Sequence, residues 1–297
     1  MSDMSLPLNS AETDAALTAS ALDAASVAGR QLRLITYNIQ VGIASRRYRH
    51  YLTHSWKHVL PHAESFSNLD RIADLVNGYD IVALQEADAG SFRSLFINQV
   101  EFLARRGDFP HYYFQTNRNL GKFAQHSNGL LSRFAATHFT EHRLPGLIPG
   151  RGLIEVHYGE PSNPLVLLLV HLGLSKRARL RQILYMSRIV NQYRHVMVMG
   201  DFNCRTRSDE MNLLVDCTGL CPPVDDLPTF PSWRPNRNID HVLVSPSIRI
   251  DEVEVLQHPL SDHLPIGVEV TLPDELEFGD PATPVARKVV AGGHRAG

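Results

Sequence analysis

The sequence predicts an α/β sandwich formed by one domain, and three observations support this prediction. Short apolar runs rich in β-branched residues recur between residues 31 and 272. Segments with apolar residues at helical spacing lie between several of these runs, and no repeat or linker divides the region. The strands and helices do not alternate regularly, which disfavours a simple doubly wound parallel sheet.

Seven apolar runs are predicted to form buried strands because of their length and their β-branched content. They cover residues 32–38, 80–86, 128–135, 164–171, 195–201, 239–245 and 264–270. Three segments, residues 66–76, 92–104 and 176–193, are predicted helices. Residues 1–30, rich in Ala and Ser, are expected to be a disordered leader, and residues 273–297, rich in Pro, Gly and Ala, a disordered tail.

The composition excludes several classes of protein. The net charge of −2 argues against nucleic-acid binding through bulk positive charge, so phosphate binding must depend on local clusters. The three cysteines are an odd and sparse set that argues against a disulfide framework and indicates a reducing compartment. The N-terminus lacks the pattern of a signal peptide, and no apolar run has the length of a membrane span. These features predict a cytoplasmic protein without integral membrane association.

Polar residues with catalytic or metal-binding chemistry lie at the ends of the predicted strands. Active-site groups favour such positions because a rigid sheet aims them from its edge. A single residue of this kind has little meaning, since turn residues and solvated carboxylates are common there. The candidates are Asn38, Glu86, His171, Asp201, Asp240, Asp262 and His263.

These residue types suit the metal-dependent hydrolysis of a phosphate ester. That reaction needs a divalent cation to neutralise developing charge, an activated water and a stabilised leaving oxygen. Mg²⁺ prefers carboxylate, amide and water oxygens, so Asn38 and Glu86 are candidate metal ligands and Asp262 completes the set. The alternative for Asn38 is a turn residue, and the alternative for Glu86 is a solvated carboxylate.

The remaining candidates supply acid–base chemistry. Asp201, in the sequence GDFN, is the candidate general base, and Asn203 is expected to hold its carboxylate and to reach a phosphate oxygen. Asp240 is expected to orient His263 and to favour its protonated form, which would contact the phosphoryl oxygens. His171 is a second candidate phosphate contact, and the alternative is a satisfied histidine at the end of a core strand.

Seven short motifs follow one another between residues 32 and 270: TYNIQ, IVALQE, HSNGLLSR, LVHLGLS, GDFN, NIDHVLVS and SDHLPI. Together they resemble the endonuclease/exonuclease/phosphatase superfamily, which includes pancreatic-type deoxyribonucleases and abasic-site endonucleases, and HLGLS resembles its small bacterial members. The resemblance implies a four-layer α-β-β-α sandwich with two packed mixed sheets that open at the active-site edge. It also implies Mg²⁺ or Mn²⁺, in-line attack of water on phosphorus, and a position for Asn128 near the substrate phosphate.

The segment that covers residues 46–62, RRYRHYLTHSWKHVLPH, follows the first of these motifs. Arg46, Arg47 and Arg49 are candidates for contacts with substrate phosphates, and the interleaved aromatic residues are candidates for contacts with bases or a lipid headgroup. A helix over this segment would place four histidines on one face, which suits either a second metal site or an amphipathic helix that covers the sandwich. The four are His50, His54, His58 and His62.

The sequence therefore predicts a divalent-metal-dependent phosphodiesterase, with DNA or RNA as the first hypothesis for its substrate. Trp233 is a candidate contact with a substrate base, and its alternative is a loop anchor in the core. Two alternatives for the function stay open: the same chemistry on a phospholipid headgroup or small phosphoester, and a non-catalytic phosphate-binding module. The module would be marked by loss of Glu86, Asp201 or His263, and all three are present.

Overall fold

A computed structural model describes residues 29–40, 63–91, 94, 96–119, 125–146, 151–223 and 226–276. The strands are β1 Gln31–Asn38, β2 Ile81–Asp88, β3 His111–Asn119, β4 Gln125–Ser132, β5 His138–Arg143, β6 Gly152–Tyr158, β7 Leu165–His171, β8 His195–Asp201, β9 Asp240–Val244, β10 Arg249–Val255 and β11 Ile266–Thr271. The helices are α1 Ala63–Val76, α2 Gln99–Arg106, α3 Lys176–Val190 and α4 Asp209–Thr218.

The strands form two packed mixed sheets. Sheet one has the order β10-β11-β1-β2-β4-β3, and sheet two has the order β5-β6-β7-β8-β9. One parallel pair lies within each sheet, β1 with β2 and β7 with β8. Helices α1 and α2 cover the outer face of sheet one, and α3 and α4 cover that of sheet two. The predicted four-layer α-β-β-α sandwich is confirmed.

Side-chain alternation along the buried strands produces three apolar cores. In β7, Leu165, Leu167 and Leu169 point between the two sheets, because successive side chains of a strand face opposite sides. Val166 and Leu168 point the other way, into the core beneath α3 and α4. Both faces of β7 are covered, which explains why its sequence LVLLLVH is almost continuously apolar.

The predicted start of the helix over residues 92–104 is wrong. Helix α2 begins at Gln99, because the side-chain oxygen of Asn98 accepts hydrogen bonds from the backbone N–H groups of Val100 and Glu101 and caps the first turn. Ser175 and Ser208 cap α3 and α4 in the same way. Residues 96–98 belong instead to a loop that closes on the end of β2.

Four strands and one helix were not predicted: β3, β5, β6, β10 and α4. Strands β5 and β10 lie at sheet edges and carry mostly polar side chains, so the apolar signal of a strand is weak in them. In β6, the buried Glu155 and the half-buried His157 interrupt the apolar pattern. Within the described residues, no helix has the length and the apolar character needed to cross a bilayer.

The predicted leader and tail lie largely outside the described residues, which begin at 29 and end at 276. The described part of the predicted tail contacts the sandwich. Leu276 is buried in the core between the sheets, and Glu275 forms an ion pair of 3.0 Å with Arg194.

Candidate active site

The candidate site lies at one edge of the sandwich, where strands from both sheets present polar residues. The parallel strands β1 and β2 carry Asn38 and Glu86 near their ends, and the parallel strands β7 and β8 end at His171 and Asp201. Strand β9 is antiparallel to β8, and its first residue, Asp240, pairs directly with Asp201. The sheets therefore bring residues that are far apart in sequence to one edge.

Asp201 is the point at which side chains of the two sheets meet. The side-chain amide Nδ2 of Asn38 donates to Asp201 Oδ2 over 3.2 Å. The ring Nε2 of His171 lies 3.4 Å from the same oxygen and 3.8 Å from Oε1 of Glu86. Asn38, His171 and Asp201 are all buried, so these contacts form away from bulk water. Four residues predicted for the site are thus neighbours in the structure.

The turn after β8 fixes the Asp201 carboxylate. Gly200 has φ +141°, and a Cβ atom there would lie 2.0 Å from the carbonyl oxygen of Val170, so no other residue fits. Asn203 has φ +52°, and its backbone N–H donates to Asp201 Oδ1 over 2.9 Å. Its side-chain Nδ2 donates to the carbonyl oxygen of Leu172 over 3.0 Å and ties the turn to the end of β7. The predicted hold of Asn203 on the carboxylate is made by its backbone.

Asp240 and His263 form a second buried pair. The ring Nδ1 of His263 lies 2.8 Å from Asp240 Oδ2, and the hydroxyl of Thr229 donates to the same oxygen. Phe230 packs against the imidazole with its ring centre 4.9 Å away. Burial opposes a charge on His263, but its hydrogen bond to Asp240 and the nearby carboxyl groups of Asp240, Asp201 and Asp262 together raise the pKa of the imidazole to about 10. His263 is therefore positively charged at neutral pH.

The carboxyl groups of Asp201 and Asp262 have raised pKa values, so their surroundings favour the neutral form. Burial raises the pKa of Asp201 to about 7, and the nearby negative charge of Asp240 adds to this effect. Burial also raises the pKa of Asp262 to about 6, with the Glu86 carboxylate acting in the same direction and His263 opposing it. The carboxylates at this edge repel one another in a place that water does not screen.

Glu86 reaches the site because β2 is irregular at this point. The pairing of β2 with β4 shifts register between Leu84 and Ala87, and Glu86 lies within this bulge with φ +57°. Its neighbours Gln85 and Ala87 are fully buried, whereas the side chain of Glu86 is 27% exposed. A left-handed conformation is strained for a residue other than glycine, and such strain is common at functional sites.

Of the residues predicted to contact substrate, Asn128 and Trp233 lie within the described part of the chain, and the arginines do not. Asn128 is fully buried, and its Nδ2 donates to the carbonyl oxygen of Gly152 over 3.2 Å, which links β4 to β6 of the other sheet. Trp233 is partly exposed in a loop that the backbone N–H of Ser232 ties to the carbonyl oxygen of Asp262 over 2.7 Å. The arginines Arg46, Arg47 and Arg49 and the histidines His50, His54, His58 and His62 lie outside the described residues.

Two residues at the site were missed in the sequence. The guanidinium of Arg151 contacts the ring Nε2 of His171 and adds a positive charge to this edge. Thr229 fixes Asp240. Both lie in irregular segments between strands, where no periodic pattern draws attention to them. Because β6 was not predicted either, no pattern in the sequence marked Arg151 as a residue at the start of a strand.

The donor set of this edge fits a divalent cation. Within the described residues, one group has at least three potential metal-ligand side chains close together: Asp201, Asp240 and His263, whose ligand atoms lie within 4.8 Å of one another. Glu86 and Asp262 add carboxylate oxygens close enough to affect their neighbours' ionisation. Two buried carboxyl groups of this edge, Asp201 and Asp262, have raised pKa values, and a bound cation would favour their charged forms.

Comparisons with known proteins agree with this geometry. The family model described as "Endonuclease/Exonuclease/phosphatase family" matches residues 35–263. Among curated protein sequences, none matches the chain.

Solved structures share the fold at low sequence identity. An endonuclease/exonuclease/phosphatase from Beutenbergia cavernae is 22% identical, with a TM-score of 0.65, over 82% of this chain and 72% of that chain. The mannosyl-6-phosphatase Bt3783 of Bacteroides thetaiotaomicron is 18% identical, with a TM-score of 0.59, over 81% and 100%. D. rerio TDP2, solved with a single-strand DNA product, is 16% identical, with a TM-score of 0.59, over 82% and 99%. Since the family model covers most of its length, this chain belongs to the endonuclease/exonuclease/phosphatase family.

Proposed function

We propose that this chain is a divalent-metal-dependent phosphodiesterase whose substrate is a nucleic acid. The observation that carries the proposal is the buried group Asp201, Asp240 and His263, which combines two carboxylates and a charged imidazole beside Glu86 and Asp262. A general base, a positively charged group and a set of oxygen ligands are the parts that phosphoester hydrolysis requires. The family includes nucleases and phosphatases, and TDP2 has been solved with DNA.

We assign the metal ligands to Asn38, Glu86 and Asp262. Their amide and carboxylate oxygens suit Mg²⁺ or Mn²⁺ better than a site that includes an imidazole. His263 is engaged by Asp240 and carries a proton, which makes it a poor ligand. When bound, the cation neutralises charge on the phosphoryl oxygens and favours ionisation of water.

Asp201 acts as the general base. Hydrogen bonds from Asn38 and from the backbone of Asn203 hold both of its oxygens, so the carboxylate has a fixed orientation. A base is most effective when its pKa lies near the working pH, and burial places that of Asp201 at about 7. The carboxylate therefore accepts the proton of the attacking water, which approaches phosphorus opposite the leaving oxygen.

His263 stabilises the charge that develops on the phosphoryl oxygens. Its Nδ1–H is directed at Asp240, so Nε2–H is the proton available to the substrate. His171 and the adjacent Arg151 supply further contacts with the phosphate. Asn128 supports this arrangement by fixing Gly152, the residue after Arg151, and Trp233 contacts a substrate base.

We assign this chemistry to one catalytic domain over residues 31–272. The three cysteines Cys204, Cys217 and Cys221 are free thiols, which supports a reducing cytoplasmic setting.

The proposal is tested by assaying the purified protein, with Mg²⁺, with Mn²⁺ and with EDTA, against DNA, RNA, bis-p-nitrophenyl phosphate, p-nitrophenyl phosphate and phospholipid vesicles. Asp201→Asn is the inactive variant, and Asp209→Asn, a change at an exposed surface carboxylate, is its matched control. We expect metal-dependent cleavage of nucleic acid and of the diester by wild type and Asp209→Asn. Cleavage confined to the monoester or to lipid would refute the nucleic-acid substrate. No cleavage of any substrate would favour the phosphate-binding module.

A further inference from the structure

Helix α3 presents a row of arginines to solvent. Its fifteen residues, Lys176–Val190, include five basic residues and no acidic residue. Residues that are three or four apart in sequence lie on the same face of a helix, so Arg177, Arg181, Leu184 and Arg188 form one row, the α3 stripe. All four residues are exposed, and the opposite face of the helix packs in the core outside sheet two.

The basic residues of α3 differ in their partners. Lys176 and Arg179 form ion pairs with Asp209 and Glu210, in the first turn of α4, over 2.5 and 2.7 Å. Within the described ranges of the chain, none of the three arginines of the α3 stripe pairs with a carboxylate. Contacts between the two helices therefore account for Lys176 and Arg179, but not for the stripe.

The α3 stripe opposes the stability of its own helix. Arg177 and Arg181 are four residues apart, so their like charges repel one another on the helix surface. Arg177 also lies in the first turn, where the positive end of the helix dipole disfavours a cation, whereas α2 and α4 have acidic residues there. Local features that oppose stability are expected at functional sites, and a bound polyanion would relieve both repulsions.

Hydrogen bonds connect the start of α3 to the candidate site. The backbone N–H of Leu172, the first residue after β7, donates to the carbonyl oxygen of Asp201 over 2.9 Å. The next residue, Gly173, donates from its backbone N–H to the side chain of Gln182 over 2.8 Å. Its carbonyl oxygen accepts a hydrogen bond from the Arg179 guanidinium over 3.3 Å. A polymer that extends from Asp201 in this direction meets the first turn of α3.

Two further arginines lie between the site and the stripe. Arg205 and Arg207 are exposed in the loop that joins Asp201 to α4. This loop ends at Asp209, whose ion pair with Lys176 holds it against the first turn of α3. Neither arginine forms an ion pair with a carboxylate of the described residues. Positive charge thus continues from the site edge to the α3 stripe, although the whole chain has a net charge of −2.

We propose that the α3 stripe binds the phosphate backbone of a long nucleic acid, beyond the nucleotides that occupy the site. This inference rests on the proposed function and defines its substrate as a polymer that is also held away from the scissile bond. Guanidinium groups suit phosphate oxygens because they donate in a planar fork. Arg177 and Arg188 are about 17 Å apart along the helix axis, which matches about five phosphates of one strand.

A membrane surface fits this face less well. Stable binding to anionic lipid combines a polybasic patch with an inserted apolar face or a lipid chain. The apolar face of α3 is already buried against sheet two, and Leu184, which is 47% exposed, is the apolar member of the stripe. A phosphate backbone is bound through charge and needs no apolar contact, so the α3 stripe favours nucleic acid.

Binding without divalent metal tests the inference separately from catalysis. The probe is a fluorescein-labelled single-stranded DNA of twenty nucleotides, and its anisotropy is measured in EDTA between 50 and 200 mM NaCl. The stripe variant is Arg177→Gln/Arg181→Gln/Arg188→Gln. We expect it to bind about tenfold more weakly at 50 mM NaCl and to lower the salt slope of log K by about 2, since each phosphate contact of a single strand contributes about 0.7.

The matched control is Arg105→Gln/Arg106→Gln/Arg249→Gln, which changes the net charge by the same amount. These exposed arginines belong to α2 and β10, on the side of sheet one, and each forms an ion pair with a carboxylate. The control variant should bind the probe like wild type. A stripe variant with Lys in place of Gln keeps the charge, so it should retain most of the affinity and the salt slope.

The same variants are assayed with Mg²⁺ on bis-p-nitrophenyl phosphate, which is too small to occupy the site and the stripe together. Unchanged diester kinetics in the stripe variant, together with weaker binding of the strand, would support the inference. Equal affinity of wild type and the stripe variant would overturn it, and so would an equal loss in the control or the Lys variant. Stripe-dependent sedimentation with anionic phospholipid vesicles and no effect on DNA would also overturn it. Absence of all hydrolysis would refute the proposed function, whereas the anisotropy decides the inference.

Discussion

Two of the buried carboxyl groups in sheet two, Glu155 and Asp201, have pKa values that are shifted in opposite directions. Glu155, in the middle of β6, accepts hydrogen bonds from the ring Nε2 atoms of His142 and His157, over 2.7 and 2.6 Å, and from the hydroxyl of Tyr193 over 2.9 Å. Burial alone would raise its pKa, but these three donors hold the pKa well below its usual range. Asp201, at the end of β8, is equally buried, and its pKa is raised to about 7.

This difference distinguishes Glu155, whose charge stabilises the fold, from Asp201, whose surroundings suit a catalytic group. Each oxygen of Glu155 has a donor from the surrounding side chains, so the folded chain stabilises its charge without any ligand. Both oxygens of Asp201 also have donors, but burial raises its pKa, and the negative charges of Asp240 and Glu86 add to this effect. Folded proteins rarely leave carboxylates in such surroundings unless function requires it. We therefore expect substitutions at the two residues to have opposite consequences.

The largest effect is expected for Asp201→Asn. The amide keeps the shape of the side chain but does not accept a proton from water, so kcat should fall about a thousandfold or more, with little change in KM. Steady-state hydrolysis of bis-p-nitrophenyl phosphate with Mg²⁺ or Mn²⁺ measures this loss. The metal-free variant should keep most of the wild-type stability in urea, because the removal of like-charge repulsion offsets the hydrogen bond that is lost when an amide NH2 replaces one acceptor oxygen. A stability loss as large as the activity loss would assign Asp201 to the fold.

His263→Gln is expected to lower kcat about a hundredfold or more, since it removes the positive charge directed at the phosphoryl oxygens. Asp240→Asn should have a similar effect, because Asp240 is what keeps the imidazole charged and oriented. The two residues act as one unit, so the double variant should be no slower than the slower single variant. Multiplicative losses in the same kinetic assay would show that they act independently.

Glu155→Gln is expected to lower the free energy of unfolding at pH 7 by about 1–3 kcal/mol and to leave kcat and KM unchanged. The change weakens the hydrogen bonds from two imidazoles and a phenol to a buried acceptor. Urea unfolding measures the loss, and Glu160→Gln, at an exposed glutamate of the turn after β6, is the control. A hydrolysis defect in Glu155→Gln would mean that Glu155 also takes part in function.

The pH dependence of this stability difference follows from the lowered pKa of Glu155. A carboxylate whose pKa is lower in the folded state stabilises the protein above the unfolded-state pKa of about 4.3, and loses this contribution as pH falls below it. The difference between wild type and Glu155→Gln should therefore be complete at pH 7 and smaller at about pH 3.5. A difference that is independent of pH would mean that Glu155 contributes through packing and not through charge.

The sequence was sufficient for the family and the layered architecture, which are confirmed. It also identified the residues of the sheet edge, because acids, amides and imidazoles follow apolar runs there; their individual roles stay predictions. The apolar runs lie in strands whose two faces are covered, so nearly all of their residues are apolar and the strands can be recognised from composition alone.

The sequence did not identify features that depend on contacts between distant segments. The bulge that turns Glu86 toward the site needs β4 as a partner, and the contact of Arg151 with His171 needs two adjacent strands of sheet two. Strand β6 was missed because the charged residue Glu155 interrupts its apolar pattern. Glu155 is stable in this buried position only because of hydrogen bonds from β5, from the end of β6 and from the residues after α3. In a sequence, a buried charged residue cannot be distinguished from one at the surface unless its hydrogen-bond partners are known.

Mg²⁺ binding distinguishes the two carboxylate centres in one experiment. The thermal unfolding midpoint is measured for EDTA-treated wild type, Glu86→Gln and Glu155→Gln, with and without Mg²⁺. If the carboxylates of the sheet edge hold the cation, a hundredfold excess over Kd should raise the midpoint of wild type and of Glu155→Gln by about 5–10 °C. The rise should be much smaller in Glu86→Gln. An equal rise in all three proteins, or none in wild type, would contradict a metal site at this edge.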